Sequence, residues 1–175
     1  MYTKKPVIAI SSCLLGENVR YDGIDKANAL VMDTLKEEFE LLSICPEVAI
    51  GMGVPRLPIQ LLRTPHQLHL CGVDDVSRDV TIAMQEYADS TIARHARISG
   101  YVFKARSPSC GLVDVPVFDH LGELVELGAG LYAGRWCAEY PDLPVIDECM
   151  FEAADLREEF IARVYEYQRC KLSAE

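Results

Sequence analysis

Three cysteines stand in loops rich in serine, proline and glycine: Ser11-Ser12-Cys13, Cys45-Pro46-Glu47 and Ser107-Pro108-Ser109-Cys110-Gly111. Each lies at the end of a short apolar run. Thiols at such places can ligate metal, act as nucleophiles or sit as inert core cysteines. A structural zinc takes four ligands, and a fourth cysteine is not evident among these loops. A 4Fe–4S cluster normally takes four cysteines as well. With three, one iron is left open to act as a Lewis acid.

The full set is Cys13, Cys45, Cys71, Cys110, Cys137, Cys149 and Cys170. Seven scattered cysteines are not a disulfide framework. No CxxC pair occurs, so a zinc ribbon or a thioredoxin-type redox pair is disfavoured. Any cysteine site has to be assembled from distant segments.

The elements that must assemble it follow from hydrophobic period. Pro6–Ser12, Glu40–Ile44 and Tyr101–Ala105 read as buried strands, with a short strand over 66–73 and another over Pro144–Ile146. Ala27–Phe39, Arg78–Ala96, Ala129–Tyr140 and Ala153–Cys170 carry helical spacing. Residues 46–65 hold four prolines and two glycines and read as an ordered loop. Strands alternating with helices predict an α/β fold. This is a single-domain, mostly parallel, doubly wound (Rossmann-like) sheet flanked by helices. Residues 1–150 form the α/β domain, and 151–175 form a C-terminal helix packed on it or extending from it. In an open parallel sheet all carboxyl ends share one edge, where ligands bind. Cys13, Cys45 and Cys110 are therefore expected to converge.

The 175 residues suffice for one domain. Composition is globular, and the apolar runs are too short for a membrane span. The N-terminal MYTKKPVIAISSC shows no signal-peptide pattern, which points to the cytoplasm. Net charge is −10. The first 110 residues carry 12 basic and 13 acidic side chains, and the last 65 carry five and 14. Strong acidity argues against nucleic acid, less so for the nearly neutral first part. Neither GxGxxG nor GxxxxGK[ST] occurs, so dinucleotide or ATP binding has no support.

The segments SSCLLGENVRYDG, CPEVAIGMGVPRLP and KARSPSCG resemble the thiouracil desulfidase family, long filed as a domain of unknown function. VPVFDHLGE, GAGLYAGRWCAEYPDLPVID and LREEFIARVYEYQR extend the likeness over nearly the whole chain. The chain is also similar to the N-terminal domain of tRNA 4-thiouridine desulfidases. The resemblance implies an α/β domain that binds a 4Fe–4S cluster through Cys13, Cys45 and Cys110, its fourth iron open to the sulfur of a thiolated pyrimidine. It implies functional roles for Glu47 and Ser107, with an oxo-pyrimidine and sulfide as products. The expected substrate is 2- or 4-thiouracil or 4-thiouridine, and the alternative is 4-thiouridine within tRNA.

On that expectation Glu47 activates water. Ser107 bonds the pyrimidine edge or that water, beside the plainer role of a turn serine before Pro108. Ser109 reads as structural or as a donor to cluster sulfur. Arg20 and Arg56 could contact a phosphate or ribose, or form ion pairs. His66 and His69 make an HxxH spacing that, on a strand, points to opposite faces. His95 and His120 belong to no constellation, and Trp136 reads as a core anchor. Two other classes remain open. One is a metal-free cysteine enzyme with Cys45 or Cys110 as nucleophile, which needs a nearby histidine. The other is a zinc-binding or sulfur-sensing module without turnover.

Overall fold

The computed structural model describes residues 5–174; the leader-free reading of Met1–Lys4 lies outside them. In chain order the elements are β1 (Val7–Ser11), α1 (Ala29–Leu35), β2 (Glu40–Ile44), α2 (Pro46–Ala49), β3 (Ile59–Arg63) and β4 (Leu68–Gly72). Then come α3 (Thr81–Arg94), β5 (Ile98–Phe103), β6 (Val115–Phe118), β7 (Leu124–Gly128), α4 (Leu131–Glu139), β8 (Val145–Asp147), α5 (Glu148–Phe151) and α6 (Ala154–Ala174).

The first sheet has order β2-β1-β5-β8, and every pairing in it is parallel. All five residues of β1 and all six of β5 are buried. That explains their unbroken apolar runs, because a parallel sheet is covered on both faces. One face carries Ile8, Ile10, Val102 and Ile146 onto Val31 and Leu35 of α1 and Phe160 and Val164 of α6. The other carries Ala9, Tyr101 and Phe103 onto Met84 and Ala88 of α3 and Tyr132 and Trp136 of α4. Trp136 is a core residue, as its place in the sequence suggests. Among the described residues no helix is long and apolar enough to cross a membrane.

The sequence reading is corrected in one region. Residues 46–65 are not all loop: they contain α2 and β3. The strand expected over 66–73 is β4, antiparallel to β3 in a second, mixed sheet of order β4-β3-β6-β7. Leu61, Leu70, Val115 and Val117 of this sheet pack into the same core as α3 and α4. Proline and glycine around β3 mask its short pattern. Every residue of β7 from Leu124 to Leu127 is exposed, so it has no polar–apolar alternation to read.

Gly100 in β5 is where α6 lies closest. A Cβ there would sit 2.6 Å from Val164 Cγ2 and 3.2 Å from Phe160 Cζ. Gly100→Ala is expected to lower stability by roughly 1–3 kcal/mol, the usual range for overpacking a tight core. Urea denaturation checks this, and an unchanged midpoint would show that α6 gives way freely.

Candidate active site

β1, β2 and β5 are neighbours and parallel, so their carboxyl ends form one edge. A short 3-10 turn over Ser12–Leu15 continues β1 and carries Cys13. β2 runs into Cys45, which caps the N-terminus of α2, with Pro46 in the first helical turn beside Glu47. β5 runs into the loop ending at Cys110. One cavity of about 390 Å³ opens between them, with Cys13, Cys45, Cys110, Glu47, Lys104 and Ser107 in its wall. The structure thus brings together all five residues singled out from the sequence. The other four cysteines do not line it.

The Cys110 loop is held by its own atoms and by α4. Ser107 Oγ accepts the backbone N–H of Ser109 (3.2 Å) and of Cys110 (3.1 Å), which is the turn role expected of a serine before proline. Those bonds use Ser107 as acceptor only, so its O–H remains a donor for a group in the cavity. The first amides of α4 close on the loop: Tyr132 and Ala133 donate to the Ser109 carbonyl at 3.0 and 3.1 Å. Gly130 makes this approach possible, since a Cβ there would fall 2.5 Å from the Ser109 carbonyl carbon and oxygen. Arg106 bends the loop with a φ of 60°, a left-handed conformation uncommon outside glycine.

Glu47 is held at both oxygens. Ser109, fully buried, donates its hydroxyl to Oε1 at 2.8 Å, and the Arg56 guanidinium donates to Oε2. In both cases this is one of the two alternatives the sequence left open: Ser109 is structural and Arg56 forms an ion pair. Ser109 bonds Glu47. Arg56 is not free for a phosphate or ribose: its side chain is 4% exposed, and its guanidinium is also spent on the Val19 and Gly53 carbonyls. Arg20 is paired with Asp22 at 3.2 Å.

Sequence reasoning missed Lys104 and Glu148. Lys104 lines the cavity and donates to Glu148 Oε1 and the Ala105 carbonyl. Glu148 is buried, and its other oxygen accepts the Ala105 N–H at 2.6 Å. A lysine directly after a buried strand was the available signal. Its partner, 44 residues on, carried none.

Burial sets the state of the thiols. It pushes Cys13 up to about 11, against the opposing pull of the Lys104 charge. It also raises Cys45, which is eased by backbone N–H groups of α2, and it raises Cys110 strongly, helped by the charge of Glu47. These thiols must lose protons to bind metal. In the folded protein burial favours their neutral form, while the unfolded chain ionises them near 9.0. The unfolded state therefore binds fewer protons above that pH, and stability falls as pH rises. Between pH 9 and 11 Cys13 alone accounts for on the order of 2–3 kcal/mol. Urea denaturation at pH 7, 9 and 10 tests this; a midpoint that does not move would contradict it.

Among the described residues the only trio of His, Cys, Asp or Glu ligand atoms within 4.8 Å of one another is Asp147, Glu148 and Cys149. Cys13, Cys45 and Cys110 stand wider apart than that as a set. One tetrahedral zinc with bonds of about 2.3 Å would hold its thiolates roughly 3.8 Å apart. Three soft thiol donors lining one cavity are the ligand type an iron–sulfur cluster takes. Glu148 in the acidic trio is already committed to Lys104 and Ala105.

Among the described residues no histidine lines the cavity, which leaves a cysteine nucleophile without its usual base. His69 of β4 is paired with Asp79 at 2.7 Å, and His66 is exposed in the preceding turn.

The chain is similar to proteins of known sequence and structure. A Bacillus subtilis (strain 168) protein, YbbK, is 31% identical over 111 residues, covering 60% of this chain and 73% of the relative. The solved structure of a 4Fe–4S-dependent thiouracil desulfidase, TudS, superposes with a TM-score of 0.61 at 28% identity, covering 90% of this chain and 99% of that one. This supports the α/β fold with its helix-flanked parallel sheet. The family model of the 2-thiouracil desulfurases matches residues 8–148, from β1 to the first residue of α5. The chain belongs to the 2-thiouracil desulfurase family.

Proposed function

We propose that this chain removes sulfur from a thiolated pyrimidine, with Cys13, Cys45 and Cys110 holding a 4Fe–4S cluster whose fourth iron is left open. The observation that carries this reading is the meeting of three thiols and one carboxylate, from three parallel strand ends, around one cavity. When bound, such a cluster supplies a soft Lewis acid suited to a thiocarbonyl sulfur.

The chain's own residues do the rest. Glu47 takes a proton from water at its carboxylate, so that water oxygen can attack the ring carbon. Ser107 offers its free O–H to the pyrimidine edge or to that water. Lys104 places a positive charge beside the thiolates and offsets theirs. The carbon–sulfur bond breaks with its electron pair on sulfur. Water's oxygen stays on carbon, and its two protons leave as hydrogen sulfide. No atom changes oxidation state, so the reaction is a hydrolysis.

Tyr21 and Leu57, both in the cavity wall, are about half exposed and offer apolar surface to an entering base. Free 2- or 4-thiouracil or 4-thiouridine is the favoured substrate, because a net charge of −10 opposes tRNA. The test is anaerobic reconstitution with iron and sulfide, followed by loss of the thiocarbonyl absorption band. 2-Thiouracil, 4-thiouracil, 4-thiouridine and thiolated tRNA are each assayed at two salt concentrations. Sulfide release from a small thiopyrimidine supports the reading. Turnover of tRNA alone, with a steep salt dependence, would replace the substrate. A protein that is active without iron would replace the mechanism.

A further inference from the structure

Arg56 is a nearly buried cation with every visible bond directed into the protein. Nη2 donates to Glu47 Oε2, and Nη1 donates to the Val19 carbonyl at 2.8 Å and the Gly53 carbonyl at 3.0 Å. Its backbone N–H donates to the Tyr21 carbonyl at 2.9 Å. One residue thus joins the loop after Cys13, the helix after Cys45 and the turn at Gly53. The third loop closes from the other side, through the Ser109 hydroxyl on Glu47 Oε1. The Val19 carbonyl also accepts the Cys45 thiol at 3.9 Å.

We propose that Arg56 is the positioning residue of the site: it fixes the orientation of the Glu47 carboxylate and the closure of the Val19–Gly23 loop, and it acts on the reaction through Glu47. This rests on the desulfidase reading for what Glu47 does. Each carboxylate oxygen spends one acceptor site on Arg56 or Ser109 and keeps another for water. The fork of a guanidinium reaches three acceptors at once, and a lysine ammonium cannot match that planar geometry. Displacing a catalytic group by about 1 Å can cost 100-fold in rate.

The test uses the anaerobically loaded holoenzyme and its cluster-free form, as wild type, Arg56→Lys and Arg56→Met. In Arg56→Met, kcat is expected to fall about 100-fold. KM should stay within about threefold, and iron content should match the wild type. Arg56→Lys recovers part of kcat, and added guanidinium recovers part in Arg56→Met. In the cluster-free protein, amide exchange over residues 19–23 and 47–53 speeds up in Arg56→Met and slows again with guanidinium. An unchanged kcat overturns the proposal. So does a rise in KM alone, which would make Arg56 a substrate ligand, and so does loss of iron in step with kcat, which would make it merely structural. If wild type turns over no thiopyrimidine, the desulfidase reading fails, and the exchange rates still decide whether Arg56 holds these segments.

Discussion

Cys110→Ala is expected to leave a protein that folds, takes up little iron and releases no sulfide. Cys110 is buried at the head of a loop clamped by α4, so removing its sulfur leaves the backbone trace in place. With only three thiols at the cavity, no spare ligand stands ready. Loss of a partner one layer beyond a metal typically costs 10–100-fold in affinity, and loss of a ligand itself costs more than about 100-fold. Cys13→Ala and Cys45→Ala should do the same. Cys149→Ser and Cys170→Ser, at exposed positions, should load and turn over like wild type. The measurement is iron per chain and absorption near 400 nm after anaerobic reconstitution. Full loading of the Cys110→Ala protein would rule out the three-cysteine site. Equal losses in Cys149→Ser would move the site to the other end of Lys104.

Glu47→Gln should separate loading from chemistry. The side chain keeps its size, the three thiols are untouched, and iron content should hold. Its kcat should drop by about 100- to 10,000-fold, the range for a lost general base. The variant has a second effect that follows from the pairing with Arg56. A glutamine cannot neutralise the buried guanidinium, and breaking a buried ion pair commonly costs roughly 3–5 kcal/mol. Lower stability is therefore expected together with lower kcat. Glu47→Asp resolves the two, since it keeps the charge and shortens the reach. It should regain much of the stability and little of the rate. A Glu47→Gln enzyme with near wild-type kcat would remove Glu47 from the chemistry.

The parts of the fold that build the site were the most legible. β1, β2 and β5 are short apolar runs because a parallel sheet buries them, and parallel strands end on one edge. From that alone Cys13, Cys45 and Cys110 could be brought together across gaps of 32 and 65 residues. The second sheet was hidden for the opposite reason. β3 stands among prolines, and β7 is wet on both faces, so neither carries a period. Side-chain partners were harder still. Arg56 was visible as a cation near the site, but nothing in VPRLP says that Glu47, Val19 and Gly53 are its acceptors. Lys104 and Glu148 meet only because β5 and β8 are neighbours.

β1 also decides when in the life of the chain the site is completed. It lies between two apolar cores, and nearly all the residues that fill them lie away from the cavity. Zinc fingers fold only as they capture their ion, because they have no other core. Here the two cores close on their own and leave three thiols and a carboxylate waiting at the edge of a finished sheet. On the proposed reading, loading would then be a separate maturation step, performed on a folded acceptor. An iron–sulfur donor would have to hand over its cargo to the cavity, whose exposed wall residues include Tyr21 and Leu57, before the first turnover.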